Sequence, residues 1–150
     1  MCEQLMVVEI TPVCSPELLN NKHPLQTPED LIHYPLRDDS DFESWQEWFE
    51  EAGIQERKYK RRTVIRDSNV FINSTLDGHG IALCSVGIVQ EYLDSGRLIR
   101  PFELSIIGLG FYYFAYPKIA LRKPLVRLFK TWLFKEVRKA ESRAPFQESL

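Results

Sequence analysis

The sequence predicts an α/β fold. Between residues 62 and 99, short apolar runs of strand length alternate with helical patterns in the order strand, helix, strand, helix, strand. Such alternation predicts parallel strands joined by right-handed crossovers, with helices layered on a sheet. The 150 residues, 44% hydrophobic and 27% charged, suit one globular domain or two small lobes.

The elements of this alternating region follow from apolar runs and their flanking caps. The predicted order is strand Thr63 to Ile65, a helix capped by Asp67 or Ser68 and closed at Gly78, strand Ile81 to Cys84, a helix carrying Ile88 and Val89 that closes at Gly96, and strand Leu98 to Ile99.

The chain before this region predicts one strand and two helices. Leu5 to Val13 is an apolar run of strand character, and Thr27 with Pro28 predicts a helix start that must end before Pro35.

The second helix is predicted to be rich in aromatic residues. Ser40 to Glu43 has the spacing of a capping box, and apolar residues follow at helical spacing until Gly53. These residues are Phe42, Trp45, Trp48, Phe49 and Ala52. Helical spacing alone accounts for them, so we interpret the stripe as core.

The last part of the chain predicts a connecting segment, a strand and a helix. Pro101 to Gly110 connects to Phe111 to Tyr116, an aromatic run that suits a strand buried on both faces. A helix from about Arg122 presents an apolar stripe of Leu125, Leu128, Phe129, Trp132, Leu133 and Val137. The tail beyond Ser142 is expected to fray.

Charge and cysteine usage disfavour several classes of protein. A net charge of -2 disfavours direct nucleic-acid contact, and the basic run Arg57 to Arg62 is better explained as a solvated loop beside acidic residues. Three scattered cysteines indicate a reducing compartment. Met1 to Ile10 lacks a basic region followed by an apolar one, and no apolar window approaches membrane-spanning length. We therefore expect a cytoplasmic protein with no membrane partner.

Residues that carry metal or redox chemistry are not grouped in the sequence. His23, His33 and His79 have no Cys or Asp at ligand spacing, so surface histidines are the favoured interpretation. Gly78-His79-Gly80 lacks the third glycine of a dinucleotide fingerprint and predicts a tight helix-to-strand turn. We expect no metal and no cofactor.

Catalytic sets are not recognisable either. Ser85 and Ser95 lack the context of a nucleophile elbow. Asp38 and Asp39 are adjacent, which is more typical of a solvated turn than of an acid/base pair. The sequence therefore disfavours an enzyme.

One segment does suggest a binding site. Arg66, Asp67 and Ser68 lie where a predicted strand passes into a helix. In open α/β sheets, ligands sit at the carboxyl ends of strands, beside helix N-termini whose free N–H groups attract anions. The alternative is simple capping by Asp67 or Ser68, and both roles are compatible at such a turn.

Three stretches together resemble the effector-binding domain of LysR-type transcription regulators. The stretches are VEITPVCSPELL with PL-x-TPEDL, then WQEW with AG, and DS followed by DGHGIAL and SGRLIRPF. They run through residues 8–31, 45–53 and 67–102. The glycine-rich run, together with the tryptophan helix, is most similar to the subgroup of glycine-cleavage and β-lactamase regulators.

The resemblance implies a periplasmic-binding-protein-like α/β fold of two lobes, with lobe two complete and lobe one partial. Residues 1–12 would be the hinge strand leaving lobe one, and residues 13–100 would form lobe two. Residues 101–141 would be the return hinge with the closing strand and helix of lobe one, and residues 142–150 a tail. Family members are about twice as long, and their winged helix-turn-helix has no counterpart here.

The resemblance also implies a function. A small effector, with anionic metabolites favoured, would bind in the cleft between the lobes and bias their closure, and the hinge strands Glu9 to Pro12 and Phe102 to Ile106 would transmit that bias. The implied ligand-binding residues are Thr11, Arg66, Asp67, Ser68 and Tyr112. The implied partners are further copies of the chain or full-length regulator subunits, with DNA reached only through a domain absent from this chain.

Two other functions remain open. One is a stand-alone solute-binding module with the same two-lobe architecture. The other is an interaction fragment that senses nothing and pairs with full-length regulators. The strand Phe111 to Tyr116 bears on the second, because its family neighbours are not in this chain and unpaired edges favour association with another chain.

Overall fold

A computed structural model describes residues 1–20, 23–39, 43–55 and 62–141. The strands are β1 (Cys2–Val13), β2 (Leu36–Asp38), β3 (Arg62–Val64), β4 (Ile81–Ser85) and β5 (Ile106–Ala115). The α-helices are α1 (Glu43–Glu51), α2 (Ser68–Leu76), α3 (Val86–Asp94) and α4 (Pro124–Glu141). Short 3-10 helices cover Pro16–Asn20, Pro28–His33 and Lys118–Arg122. No helix among these residues is long and apolar enough to cross a membrane.

The chain divides into two compact units. Unit 1 combines Met1–Val7 with Gly110–Leu150, and unit 2 is Val8–Leu109. Strands β1 and β5 each contribute residues to both units. The lobe boundaries expected from the family resemblance, after residues 12 and 100, stay predictions.

The strands run in the order β3-β2-β4-β1-β5. Strands β3 and β4 are both parallel to β2, which lies between them, and β1 is antiparallel to β4. The predicted parallel α/β layer is therefore present in unit 2. Its central strand β2 was missed because three residues carry no readable periodicity.

The predicted strand at Leu98 to Ile99 is wrong. Those residues make one isolated antiparallel bridge, in which the backbone N–H groups of Cys14 and Ile99 donate to each other's carbonyl at 3.1 and 2.9 Å. The run is too short for a ladder, so its apolar residues serve packing instead: Leu98 is 1% exposed.

The tryptophan helix forms the main core, as predicted. Trp45, Trp48 and Phe49 on α1 are fully buried and contact one another through their rings. Each indole N–H has a partner: Trp45 Nε1 donates to the Arg37 carbonyl at 2.8 Å, and Trp48 Nε1 to the Leu104 carbonyl at 3.1 Å. Buried indoles need such partners, and these two bonds fix the position of α1 against the rest of unit 2.

Other predicted helix boundaries have mixed outcomes. The helix started by Thr27 and Pro28 is a 3-10 helix that ends before Pro35, and the Asp30 carboxylate accepts the amides of Gln26 and Thr27 at 2.9 Å each. The predicted capping box at residues 40–42, most of the basic run at residues 57–61 and the tail from residue 142 lie outside the described residues.

The turn Gly78-His79-Gly80 is the tight helix-to-strand connection that the glycines predict. Gly78 ends α2 with φ +74°, a conformation that side chains disfavour. At Gly80, a Cβ atom would lie 2.5 Å from the carbonyl oxygen of Pro35, so the backbones approach too closely for any side chain.

Unit 1 contains a ribbon formed by parts of β1 and β5, on which α4 packs. Met1 and Tyr116 exchange hydrogen bonds between the start of β1 and the residue after β5, at 2.7 and 2.9 Å. Helix α4 packs on the same ribbon through Phe129 and Phe134, whose rings each lie 6.2 Å from the Phe114 ring.

Two expectations for this ribbon are wrong. β5 begins at Ile106, inside the segment predicted to be a connection. The strand Phe111 to Tyr116 is not buried on both faces, since Phe111, Tyr112 and Tyr113 are 45%, 47% and 55% exposed. An apolar run predicts burial only when other elements cover both faces, and within the described residues of unit 1 the helix α4 packs on the Phe114 side.

Candidate functional site

The carboxyl ends of three parallel strands meet at one edge of unit 2, here called the carboxyl edge. Asp38 ends β2 opposite Val64, the last residue of β3, and the Ile65 amide donates to the Asp38 carbonyl at 2.8 Å. Strand β1 brings Thr11 opposite Cys84 near the end of β4. Ligands of open α/β sheets bind at such an edge, so the topology supports the site proposed from sequence.

The turn from β3 into α2 lies at this edge and carries three of the predicted residues. Arg66, Asp67 and Ser68 are all exposed. Asp67 is the N-cap, because its Oδ1 accepts the amides of Asn69 and Val70 at 3.0 Å each. The capping role is therefore confirmed for Asp67.

Ser68 is the first residue of α2, and both its backbone amide and its hydroxyl are available as hydrogen-bond donors. Neither its amide nor its hydroxyl has a hydrogen-bond partner within the described part of the chain. An amide at the first helical position points out of the helix, in the direction in which the helix dipole favours negative charge. Ser68 can therefore offer two hydrogen bonds to an anion.

Thr11 and Tyr112 differ from this turn in position and surroundings. Thr11 belongs to unit 2 and is fully buried, and its hydroxyl lies 3.4 Å from the Leu104 carbonyl, to which it donates. Tyr112 belongs to unit 1 and is 47% exposed. Unit 2 thus contains four of the five predicted ligand-binding residues, and their joint role stays a prediction.

Asp38 is a buried carboxylate at the carboxyl edge that sequence reasoning missed. The interpretation of Asp38 and Asp39 as a solvated pair is wrong for Asp38, which is 1% exposed, whereas Asp39 is exposed. The signal was weak: a three-residue strand after Pro35 gives no alternation from which burial can be read.

The cysteine beside this edge is not an activated nucleophile. Burial raises the pKa of the Cys84 thiol, and the charges of Asp39 and Asp38 raise it further. Burial likewise raises the pKa of Cys14 to about 12. Both thiols stay protonated at neutral pH, and a protonated thiol is a poor nucleophile and metal ligand.

A polar network joins β1 to the segment that precedes β5, within unit 2. The Ser105 hydroxyl donates to Glu9 Oε1 at 2.7 Å, and Arg100 Nη2 lies 2.7 Å from the Ser105 hydroxyl and 3.4 Å from Glu9 Oε1. We call these three residues the hinge network, because the family resemblance implies hinge strands here. Sequence reasoning missed it, since Glu9 is 91 residues from Arg100 and 96 residues from Ser105 along the chain.

The histidines form no metal site among the residues described. No group of three or more His, Cys, Asp or Glu side chains there could hold an ion. The rings of His23 and His33 stack face to face with centroids 4.3 Å apart. This arrangement packs two surface side chains and does not converge nitrogen atoms on one point.

The sequence has relatives over nearly its whole length. It matches the family described as "LysR substrate binding domain" over residues 1–138. It is 25% identical over 145 residues to the glycine cleavage system transcriptional activator of Escherichia coli K12, covering 97% of this chain and 48% of that protein. It is 30% identical over 134 residues to the HTH-type transcriptional activator AmpR of Citrobacter freundii, covering 89% of this chain and 43% of that protein. The chain thus spans about half the length of these relatives.

The fold is shared with solved effector domains. The effector domain of AmpR of Pseudomonas aeruginosa matches with a TM-score of 0.75 at 21% identity, covering 97% of this chain and 69% of that domain. At this identity the likeness shows the fold, which confirms the expected periplasmic-binding-protein-like α/β architecture. With the sequence match over residues 1–138, the chain belongs to the LysR substrate-binding-domain family.

Proposed function

We propose that this chain is an effector-sensing domain of a LysR-type transcription regulator and that it binds a small anionic metabolite at the carboxyl edge of unit 2. The observation that carries the proposal is the exposed start of α2, where Ser68 offers an amide and a hydroxyl beside the ends of three parallel strands. Helix N-termini at such edges favour anions because of their free N–H groups and the helix dipole.

The charges of the turn favour a carboxylate or phosphate ligand. Arg66 is exposed next to Ser68 and adds a positive charge. Oδ1 of Asp67 accepts hydrogen bonds from two backbone amides, and these bonds partly neutralise the charge of the carboxylate. An amino acid, with one carboxylate and one ammonium group, also suits this pair of opposite charges, so the ligand class includes amino acids.

Regulation would follow from a difference in affinity between two conformations. A ligand shifts such an equilibrium only by as much as it prefers one state. The hinge network lies on β1 and before β5, the two strands that contribute to both units, and it would carry that preference. Tyr112 in unit 1 stays a predicted contact.

The regulator would contact DNA through a helix-turn-helix (HTH) domain, the domain after which the HTH-type relatives are named. The proposed partners are further regulator subunits, with DNA contacted only by that separate domain. No catalytic role is proposed, since the buried thiols are protonated and the family is one of regulator domains.

The test is a ligand screen followed by a charge substitution. The chain is screened by thermal melting against carboxylates, phosphates and amino acids, and a hit is measured by calorimetry. A ligand that binds the native state raises Tm by mass action. A screen in which no compound raises Tm contradicts autonomous sensing.

The substitution Ser68→Glu should abolish binding of the ligand found, because it places a carboxylate where the anion binds. We expect affinity to fall at least about tenfold, equivalent to ~1.4 kcal/mol. Asn73→Glu is the matched control: it adds the same charge to an exposed position of the same helix, beyond its first turn. Unchanged affinity in Ser68→Glu, or an equal loss in both variants, contradicts this site.

A further inference from the structure

Helix α4 carries two apolar stripes, and one of them packs on the ribbon of unit 1. The docked stripe is partly buried and consists of Val126, Leu133, Phe134 and Val137. The outer stripe is exposed and consists of Leu125, Leu128 and Trp132. At 3.6 residues per turn, the centres of the two stripes lie roughly 140° apart around the helix, so α4 could present either stripe to the ribbon.

Apolar burial alone does not decide between the two stripes. The docked stripe offers two valines, a leucine and a phenylalanine, and the outer stripe offers two leucines and a tryptophan. Phe129 lies between the stripes and contacts the Phe114 ring while 50% exposed. Hydrophobic stabilisation is non-directional and roughly proportional to apolar area, which is similar for the two stripes. A directional interaction is therefore needed to fix one orientation of the helix.

Lys130 supplies a directional interaction within the docked stripe. It lies four residues after Val126 and four before Phe134, so it faces the ribbon with them. Its Nζ donates to Glu3 Oε1 at 2.5 Å and to the Tyr116 hydroxyl oxygen at 3.0 Å. The Tyr116 hydroxyl in turn donates to Glu3 Oε1. We call Glu3, Tyr116 and Lys130 the α4 cluster.

The surroundings of the α4 cluster keep both of its charges. The Lys130 ammonium lies 5.0 Å from the centre of the Tyr116 ring and 5.7 Å from that of Phe134, distances at which an aromatic face attracts a cation. The hydrogen bond from Lys130 lowers the pKa of Glu3, and the same bond raises the pKa of Lys130. The pair is therefore ionised at neutral pH.

Packing the outer stripe on the ribbon would break the α4 cluster. Lys130 would turn away, and leucine and tryptophan side chains would cover Glu3 and the Tyr116 hydroxyl. Tyr116 is already 8% exposed, so its hydroxyl could not recover a partner easily from water. A carboxylate or hydroxyl that is buried without its partner costs more free energy than an exposed apolar side chain. A polar residue at a core-facing position fixes the register of coiled coils for the same reason.

We propose that Lys130 is a positioning residue, which binds Glu3 and Tyr116 and thereby selects the face of α4 that packs on the ribbon. All three residues belong to unit 1. The proposal is therefore independent of the effector site of unit 2.

Trp132 reports which stripe faces the ribbon. It is 55% exposed, whereas Trp45 and Trp48 are fully buried. The whole chain is labelled with fluorotryptophan, and the Trp132 signal in the fluorine NMR spectrum is assigned with Trp132→Phe. The signal of an exposed indole shifts between H2O and D2O, so only Trp132 should shift in the unaltered chain. Lys130→Leu should abolish this shift, because α4 then turns Trp132 onto the ribbon.

Three variants separate the α4 cluster from general effects of substitution. Lys135→Leu is the matched control: it makes the same replacement at an exposed position of the same helix, and Trp132 should keep its shift. Lys130→Arg retains the charge and should also keep the shift. Glu3→Gln removes the partner's charge without adding an apolar side chain, and it should diminish the shift. Far-UV circular dichroism verifies that each variant folds.

Three results overturn the proposal. If Trp132 keeps its shift in folded Lys130→Leu, apolar packing orients α4 without the cluster; should that variant not fold, an unchanged shift in Glu3→Gln leads to the same conclusion. If Lys135→Leu loses the shift equally, the added leucine is responsible and not the lost cluster. If the shift returns when the Lys130→Leu sample is diluted, Trp132 is covered by another molecule and α4 has not turned.

Discussion

Replacing Gly80 with alanine tests how closely β2 and β4 approach at the start of their pairing. The new Cβ would meet the Pro35 carbonyl oxygen at 2.5 Å and the Arg37 side chain at 3.2 Å, whereas ordinary contacts begin near 3.4 Å. The Pro35 oxygen also accepts the Ile81 amide at 2.9 Å, so it cannot retreat without breaking a bond between the strands.

The cost follows from these contacts. Forcing extra atoms into packed surroundings costs about 1–3 kcal/mol, and losing one hydrogen bond adds about 1 kcal/mol, so we expect Gly80→Ala to destabilise unit 2 by about 3 kcal/mol. Gly96→Ala is the matched control. Gly96 has φ +71° with nothing within 4 Å of a Cβ atom, so only left-handed strain of about 1 kcal/mol applies.

Urea denaturation followed by tryptophan fluorescence measures both variants, since Trp45 and Trp48 lie in unit 2. In thermal melts, the two costs correspond to Tm decreases of roughly 10 °C and 3 °C. If Gly80→Ala is no more destabilising than Gly96→Ala, the close approach of the two backbones is not real and the register of β2 against β4 must be revised.

Two further predictions concern the thiols and the helix cap. Cys2 is exposed while Cys14 and Cys84 are buried, so a thiol reagent at pH 8 should modify one cysteine in the folded chain and three in guanidinium. Because burial raises the pKa of both buried thiols, their stabilising contribution is full below about pH 8.5 and decreases as the pH rises above it, which urea titrations across this range will show. Rapid modification of all three thiols without denaturant would contradict the buried positions. Asp67→Ala should cost about 1 kcal/mol by removing the acceptor of two amides, and Asp67→Asn should restore most of it; equal stability of all three chains would refute the capping role.

Local patterns predicted most helices and their ends. The aromatic spacing of α1 identified the core residues Trp45, Trp48 and Phe49. Apolar residues that recur at helical spacing lie on one face of the helix, and that face packs against the core. Glycine stops placed the ends of α2 and α3, since the left-handed conformation depends on the residue itself.

Features that depend on distant partners were not predictable in the same way. β2 exists because β3 and β4 flank it, and its three residues contain no pattern of their own. The burial of Asp38 follows from that pairing, which is why the sequence misplaced it. Phe111 and Tyr113 were misplaced in the opposite direction, since they were predicted to be buried and are exposed. An apolar run shows that a strand would be stabilised by burial, but it does not show whether other elements cover the strand.

For the candidate site, the sequence predicted the turn at Arg66 to Ser68. It did not decide whether the polar side chains of this turn cap the helix, bind a ligand or do both. The structure assigns the cap to Asp67, whose carboxylate reaches two amides. The hinge network was beyond sequence reasoning, because Glu9 and Ser105 are brought together only by the fold.

The carbonyl oxygen of Leu104 has two donors, the Trp48 indole at 3.1 Å and the Thr11 hydroxyl at 3.4 Å. The bond from the indole is the shorter of the two, so losing it would cost more than losing the bond from Thr11. If the Thr11 bond is lost, the oxygen keeps the shorter bond to Trp48, so this buried acceptor is not left without a donor. The shorter indole bond, which holds α1, therefore does not depend on the Thr11 hydroxyl. One carbonyl on the segment before β5 thus ties both α1 and β1 to the core of unit 2, and the attachment of α1 would survive the loss of the attachment of β1.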